Sequence, residues 1–142
     1  MSSLEQMKAR VVEAVDGLAD ELERLSLQIH ANPELCFKEE KAHGWLTEFL
    51  EKRGLRVERG VGGVPTAFRA IVPGTGRGPR VAIMAEYDAL PGIGHACGHN
   101  VIATAGTGAG AALAVALGTL PFAGEIQVIG TRPRRAAPAR SS

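Results

Sequence analysis

The sequence lacks several features that would assign it to a protein class directly. It has only two cysteines, Cys36 and Cys97, so it does not carry the disulfide framework of a small secreted domain. Its N-terminus, MSSLEQMKAR, is polar and has no apolar stretch of the kind found in signal peptides. Together these absences predict a reducing, cytoplasmic setting.

The chain has no large excess of charge of either sign. It contains 16 basic and 15 acidic residues, a balance that creates no field to attract nucleic acid or an anionic membrane. The charge is distributed unevenly along the chain, because residues 132–142 contain four arginines and no acidic residue. We therefore predict no nucleic-acid partner and no membrane partner, and we expect the basic tail to be disordered.

Common nucleotide-binding and nucleophile motifs are missing as well. Gly106, Gly108 and Gly110 do not have the G-x-G-x-x-G spacing, and they fall inside a predicted helix rather than between a strand and a helix. The sequence has no Walker lysine and no G-x-S-x-G elbow. The uncharged run at 101–117 is slightly short for a bilayer and only weakly apolar, so we predict a helix buried against a sheet.

Hydrophobic periodicity predicts three helices. Apolar residues recur at intervals of three and four from Leu4 to Ile29, and Asn32-Pro33 is expected to end this first helix. A second helix is predicted from about residue 38 to 53, with Gly54 immediately after it. The third, at about 100–117, is made largely of alanine and glycine, which would let it lie close to a sheet.

Four strands are predicted between and after these helices, at residues 55–58, 67–72, 81–85 and 125–130. The continuous apolar run at 81–85 predicts a strand buried on both faces of a mixed sheet, and the composition of 73–79 predicts a loop. The fold class is therefore α/β, with a mixed sheet flanked by helices. Its strand-to-helix loop at 86–99 would lie at the sheet edge that ligand sites favour.

This loop contains the residues best suited to bind a metal. In the stretch GIGHACGHN at 92–100, Cys97 and His99 supply the thiolate and imidazole donors that zinc prefers, and Gly98 permits unusual backbone angles. Asp88 supplies a carboxylate at the same edge, where it could orient a ligand. The alternative is structural, because a lone cysteine is usually a small buried hydrophobe and D-A-L-P-G can be only a turn.

The other histidines and the second cysteine have simpler interpretations. We predict that His95 makes a hydrogen bond that shapes the loop. We also predict that His30 lies at the C-terminus of the first helix, where it interacts favourably with the helix dipole. We expect His43 to be a surface residue of the second helix and Cys36 to be a buried thiol.

Three segments resemble one known family. HANPEL at 30–35, AEYDALP at 85–91 and GHACGHN at 94–100 occur in the order and spacing found in the aminoacylase and glutamate-carboxypeptidase family of metallopeptidases. The string AEYDALPGIGHACGHN is most similar to the family's amidohydrolase branch, which includes N-acyl-amino-acid hydrolases, p-aminobenzoyl-glutamate hydrolases and β-alanyl-lysine-type dipeptidases. Many amidohydrolases of this branch have Asp where this chain has Asn100.

The resemblance implies a metal-dependent amidohydrolase. In that branch Cys97 and His99 would be metal ligands and Asp88 would lie beside the metals as a catalytic residue. Relatives outside the branch have a ligand histidine at the position of Glu86, so that role is not carried over. Two divalent ions, zinc or manganese and in some cases cobalt, would activate water for attack on a small amide or dipeptide. Intact relatives would be homodimers.

Part of the family's catalytic apparatus has no match in this chain. The family element Pro-Ala-Glu-Glu-Gly-Gly, which contains the general-base glutamate, would follow the strand at 125–131. Later ligand histidines and a lid or dimerisation domain are also missing. For one choice of GC-rich codons, an adjacent reading frame through residues 132–141 encodes Glu-Glu-Gly-Gly. We therefore hypothesise a frameshifted or truncated gene, and the alternative is a genuine basic tail.

Two functional hypotheses follow. In the first, residues 1–131 are the N-terminal part of a zinc-peptidase-like catalytic domain, and this chain is an inactive fragment of a metal-dependent amidohydrolase. In the second, the chain is a non-enzymatic metal-binding module or a pseudogene fragment.

Overall fold

The computed structural model describes residues 3–118 and 122–131. The basic tail at 132–142, its predicted disorder and the hypothesised change of frame lie outside the described residues. The described elements, in chain order, are α1 (Ser3–Ala31), α2 (Glu40–Lys52), β1 (Arg56–Arg59), β2 (Phe68–Pro73), β3 (Thr75–Glu86), α3 (His99–Leu117) and β4 (Ala123–Thr131), with a short 3₁₀ turn at Val61–Gly63.

The strands form one mixed sheet in the order β1-β2-β4-β3. β1 pairs antiparallel with β2 and β2 with β4, whereas β3 and β4 are parallel. Phe68, Ala70 and Val128 lie on one face of this sheet, and the helices pack against that face to form the core. The α/β class and the mixed sheet flanked by helices are thus confirmed.

The first two helices have ends that the sequence explains. α1 ends at Ala31, just before the predicted Asn32-Pro33 stop. α2 begins two residues later than predicted, because the Glu34 carboxylate accepts hydrogen bonds from the backbone N–H groups of Lys41 (3.0 Å) and Ala42 (2.9 Å) and so caps the helix from outside. Gly54 has a φ of +84°, as expected of the residue that follows a helix.

α3 is the buried helix that its composition predicts. Its length of 19 residues and mean hydropathy of 1.5 would suit a membrane span, but 56% of its apolar window is buried inside the protein. It lies very close to the sheet, since a Cβ at Gly106 would be 2.9 Å from the Met84 carbonyl oxygen and one at Gly110 would be 2.2 Å from Val128 Cγ2. Small residues therefore set the distance between α3 and the sheet.

Two predictions about the segment before the site are wrong. The loop expected at 73–79 is mostly part of β3, which begins at Thr75 and has an irregular register between Thr75 and Arg80. Glycine makes this possible, because a side chain at Gly78 would collide with the backbone of residues 123 and 124. The strand is also not buried on both faces. β3 is an edge strand in the described sheet, and Val81 and Met84 are 53% and 50% exposed.

Candidate metal centre

The three motif segments meet at one corner of the fold, beyond the C-terminal end of β3. Leu35 forms an isolated parallel bridge with Ala89, whose N–H donates to the Glu34 carbonyl at 2.7 Å. The Leu90 N–H donates to the Gly94 carbonyl at 2.9 Å, which folds the strand-to-helix loop back on itself. Residues far apart in sequence are therefore held together by backbone hydrogen bonds around the candidate site.

The loop delivers one carboxylate and one imidazole to the same point. Asp88 follows the end of β3 by two residues and is only 3% exposed. Gly98 precedes α3 with a φ of +77°, the left-handed conformation that glycine adopts without strain. His99 is the first residue of α3, so both the end of a strand and the start of a helix fix the site.

The contact between Asp88 and His99 determines which ring nitrogen is available. His99 Nδ1 lies 2.8 Å from the Asp88 carboxylate oxygen Oδ1 and 3.0 Å from the Asp88 backbone carbonyl oxygen. Because both partners are acceptors, Nδ1 must carry the proton and donate. In the neutral ring Nε2 is then unprotonated, and this carboxylate–histidine arrangement is the one in which histidine commonly binds a metal.

A second carboxylate faces that free nitrogen. Glu86 Oε2 lies 3.5 Å from His99 Nε2. Sequence reasoning set Glu86 aside, because the resemblance predicts histidine at this position in other relatives. The available signal was its spacing from Asp88, since two acidic residues two apart at the end of a strand point to the same side.

The thiol donor is less closely placed. Cys97 is exposed and free. Within the described ranges, no group of three or more histidine, cysteine, aspartate or glutamate side chains is arranged to hold a metal ion. The donor chemistry still fits a divalent metal, because an oriented imidazole, a thiol and carboxylates lie on neighbouring residues. The assignment of Cys97 and His99 as ligands, and of Asp88 as a catalytic residue, stays a prediction.

His95 is a buried residue of the loop. It is 7% exposed, and neither ring nitrogen has a partner that meets strict hydrogen-bond geometry within the described part of the chain, although the Ile29 backbone lies close enough to act on the ring. The predicted loop-shaping hydrogen bond stays a prediction. The ring is enclosed between the loop and the end of α1, with its centroid 6.3 Å from that of His30. Burial lowers the pKa of His95, and the nearby His30 and His99 lower it further. His30 itself lies in the last turn of α1, as predicted.

Two predictions need correction. His43 is half-buried rather than a surface residue, because its Nε2 lies 3.2 Å from the Ala67 carbonyl oxygen, and burial lowers its pKa. Cys36 is only half-buried, since it lies in the turn that precedes α2.

A buried polar network lies behind Asp88, and sequence reasoning missed it. Glu39 is 3% exposed; its carboxylate accepts from the Thr66 hydroxyl and from the Phe37 N–H, each at 2.9 Å. Tyr87, adjacent to Asp88, donates its hydroxyl to the Thr66 carbonyl, and burial raises the pKa of that tyrosine. Every polar group named here has a partner, so the network can hold the backbone at Asp88 in place.

Known proteins similar to this chain are peptidases and amidohydrolases. The Xaa-Arg dipeptidase of Mus musculus is 43% identical over 136 residues, which cover 90% of this chain and 32% of that protein. Thermostable carboxypeptidase 2 of Saccharolobus solfataricus is 36% identical over 114 residues, covering 70% and 28%. The chain thus spans about a third of the length of these relatives. No protein-family model matches it.

A solved structure gives the same result. The solved structure of a Bacillus subtilis protein, described as a dinuclear metal-binding peptidase from the M20 family, superposes on this chain with a TM-score of 0.67 at 25% identity. The match covers 81% of this chain and 35% of that protein. The motifs, the mixed sheet with its flanking helices and these relatives agree. The chain's homologues are thus peptidases and amidohydrolases, and its structural neighbours include an M20 peptidase.

Proposed function

We propose that this chain carries the first part of the metal centre of a hydrolase that cleaves amide or peptide bonds. The contact between Asp88 and His99 is the observation that supports this most directly, because it leaves His99 Nε2 available to a metal. The names of the relatives, a dipeptidase and a carboxypeptidase among them, support the reaction class.

In this proposal each residue has a defined task. His99 and Cys97 bind the metal, and Asp88 holds the His99 ring in the tautomer and orientation that binding requires. When bound, a pair of zinc, manganese or cobalt ions supplies a water of lowered pKa and polarises the substrate carbonyl. The Cys97 thiol must lose its proton to bind, so affinity should rise with pH.

We further propose that the 142-residue chain does not turn over substrate by itself. A catalytic zinc normally has three protein ligands and a water, whereas the described residues bring no three donors together.

Purified chain, metal titration and an activity assay test these proposals together. We expect zinc binding, no hydrolysis of a panel of N-acyl amino acids and dipeptides, and weaker binding in Cys97→Ser than in the matched control Cys36→Ser. Equal affinities in the two variants would remove Cys97 from the site. Turnover that persists after complete chelation would contradict a metal mechanism.

A second candidate is a metal-binding module without enzymatic activity, and the incomplete donor set favours it for the isolated chain. A longer polypeptide that includes the relatives' remaining length would separate the candidates. Metal-dependent hydrolysis by that polypeptide supports the amidohydrolase, and metal binding without hydrolysis supports the module.

The remaining assignments belong to the same proposal. The substrate would be a small amide or dipeptide, the setting cytoplasmic, and the active form a homodimer that includes a separate lid domain. Residues 1–131 would form the first part of the catalytic domain. The coding DNA beyond the codon for Thr131 tests the frame hypothesis, since a Glu-Glu-Gly-Gly sequence in another frame would support it and its absence from all frames would refute it.

A further inference from the structure

β3 has one side without a neighbouring strand in the described part of the sheet. It lies last in the order β1-β2-β4-β3, and it pairs with β4 in regular parallel register from Arg80 to Glu86. The backbone groups that point away from β4 therefore have no partner strand among the described residues. An open edge of this kind can accept another extended segment through backbone hydrogen bonds.

The side chains along this edge are apolar and exposed. Val81 is 53% exposed and Met84 is 50% exposed, and Ala82 between them is exposed as well. Ile102 of α3 is 42% exposed and lies one helical turn before Gly106, the residue at which α3 contacts the Met84 backbone. It therefore adds apolar surface on the side of α3 that faces β3. Exposed apolar residues grouped in this way are typical of a contact surface.

The charges at the two ends of this segment are placed symmetrically. Arg80 and Glu86 each lie three residues from Ile83. When β3 pairs antiparallel with a second copy of itself, centred on Ile83, Arg80 lies directly opposite the partner's Glu86, and Glu86 lies opposite the partner's Arg80. Each pair is on a single face of the sheet, because residues an even number of positions apart point to the same side. Opposite charges in these positions stabilise the pairing of two strands.

The same charges disfavour the other simple orientation. A parallel pairing of two β3 strands in register would place Arg80 beside Arg80 and Glu86 beside Glu86, which destabilises a strand pair. Arg80 takes part in none of the salt bridges of the described residues. The one salt bridge of Glu86 among them is the 3.5 Å contact with His99, and the Glu86 side chain is 30% exposed. Both charges can therefore reach a partner, and their pattern favours a second copy in antiparallel orientation.

The apolar residues between the charges match in the same arrangement. Val81 lies opposite the partner's Ala85. Met84 lies opposite the partner's Ala82, and Ile83 lies opposite the partner's Ile83. Because Val81 and Met84 each face an alanine, their side chains can pack across the two strands without a collision.

We propose that two copies of this chain form a dimer in which their β3 strands pair antiparallel about Ile83. The four-stranded sheets of the two protomers then continue into each other, and a twofold axis passes through the centre of the interface. This dimer is formed by residues of the described sheet alone. It depends neither on the proposed metal-binding function nor on the separate lid domain that the resemblance implies.

Charge reversal at the two ends of the segment tests this dimer on the full 142-residue chain. Arg80→Glu places like charges opposite each other at both ends of the interface, and Glu86→Arg does the same with the opposite sign. The double variant Arg80→Glu/Glu86→Arg exchanges the charges and restores both pairs. Arg77→Glu is the matched control, because it makes the same change of charge at an exposed position of β3 outside the segment. Sedimentation equilibrium measures the dimer Kd, and circular dichroism checks the fold.

We expect the wild-type chain to dimerise and each single reversal to raise the dimer Kd at least about tenfold. The double variant should return the dimer Kd close to the wild-type value, and Arg77→Glu should leave it nearly unchanged. A wild-type chain that stays monomeric at every concentration overturns the proposal. A loss in Arg77→Glu as large as in Arg80→Glu, or a double variant no better than the single ones, overturns it as well.

A cross-link at the twofold axis gives an independent result if a reversed variant does not fold. In an antiparallel pair, directly opposite residues have β-carbons about 4.5–5.5 Å apart, so Ile83→Cys brings two thiols within reach of a disulfide. Val115→Cys, at an exposed position of α3, is the matched control, and both variants keep the natural Cys36 and Cys97. Mild oxidation should link Ile83→Cys into a covalent dimer and leave Val115→Cys monomeric in a non-reducing gel. No cross-link in Ile83→Cys, or equal cross-linking in both variants, overturns the proposal.

Discussion

The close approach of α3 to the sheet leads to a strong prediction for Gly110. A Cβ at this position would lie 2.2 Å from Val128 Cγ2, and Val128 is fully buried. Carbon atoms in contact are about 3.5–4.0 Å apart, so Gly110→Ala requires the helix and strand to separate by about 1.3 Å or Val128 to change its rotamer.

The expected magnitude is the difference of two effects. Alanine gains up to about 1 kcal/mol over glycine inside a helix, whereas overpacking a rigid core costs about 1–3 kcal/mol. Because Val128 has no exposed surface toward which it could move, we expect the cost to prevail. The net loss should be about 1–2 kcal/mol in the free energy of unfolding. A shift of that size lowers Tm by about 4–8 °C in a chain of 142 residues.

The same substitution in an open part of a helix is the control. Gly17 lies in α1 with nothing within 4 Å of the Cβ position, so Gly17→Ala should stabilise the chain by up to about 1 kcal/mol. Urea unfolding followed by circular dichroism measures both variants. A second control, Gly110→Ala combined with Val128→Ala, should restore part of the loss, because the truncated valine makes room for the new methyl group.

One result would refute this reasoning. If Gly110→Ala stabilised the chain as much as Gly17→Ala, α3 would not be packed against β4 at the distance described here. If the double variant showed no favourable coupling, the loss would have a cause other than the contact with Val128.

Three further predictions concern the site and its surroundings. Asn100 donates to the hydroxyl (3.1 Å) and carbonyl (3.4 Å) oxygens of Ser26. Asn100→Asp would place a carboxylate against the Ser26 carbonyl oxygen, so it should lower the free energy of unfolding in urea by about 1–3 kcal/mol. An unchanged free energy would show that this bond does not join α1 to α3. Asp88→Asn should weaken zinc binding by about 10–100-fold in a chelator competition, because an amide no longer fixes the Nδ1 proton of His99, and full affinity in this variant would exclude an orienting role. Burial lowers the pKa values of His43 and His95 in the folded chain. Below the ordinary histidine pKa of about 6.5, the unfolded chain therefore binds more protons than the folded chain. The free energy of unfolding should be highest above that pH and should fall as the pH drops toward the folded pKa values. Equal free energies of unfolding at about pH 7.5 and pH 5.5 would contradict this.

Sequence patterns predicted the helices and strands of this fold because the residues that form and end each one are close together in sequence. Gly54 ends α2 with a positive φ, and the small residues of α3 reflect its contact with the sheet. The burial of β3 could not be predicted in the same way. An apolar strand has the same sequence pattern whether or not another element covers it, so the exposure of Val81 and Met84 depends on neighbours that the pattern does not specify.

The site was predictable to a similar extent. The spacing of Cys97 and His99 and the position of Asp88 suggested a metal centre at the end of a strand, and the structure places Asp88 against His99. The contacts of Glu86 with His99 and of Glu39 with Thr66 are ones that sequence spacing does not show. Glu39 is buried because Thr66, 27 residues away, donates to it, and glutamate is rarely buried without such a partner.

The edge position of β3 has a consequence for colloidal behaviour. Residues 81–85 form an uncharged apolar segment without proline, and in the described sheet β3 pairs only with β4, which leaves one row of backbone hydrogen-bonding groups open to another chain. Such segments tend to aggregate unless charged gatekeeper residues flank them. Arg80 and Glu86 stand at the two ends of this segment. Glu86 thus opposes in-register self-association at one end of the strand, and replacing it with a neutral residue removes that gatekeeper.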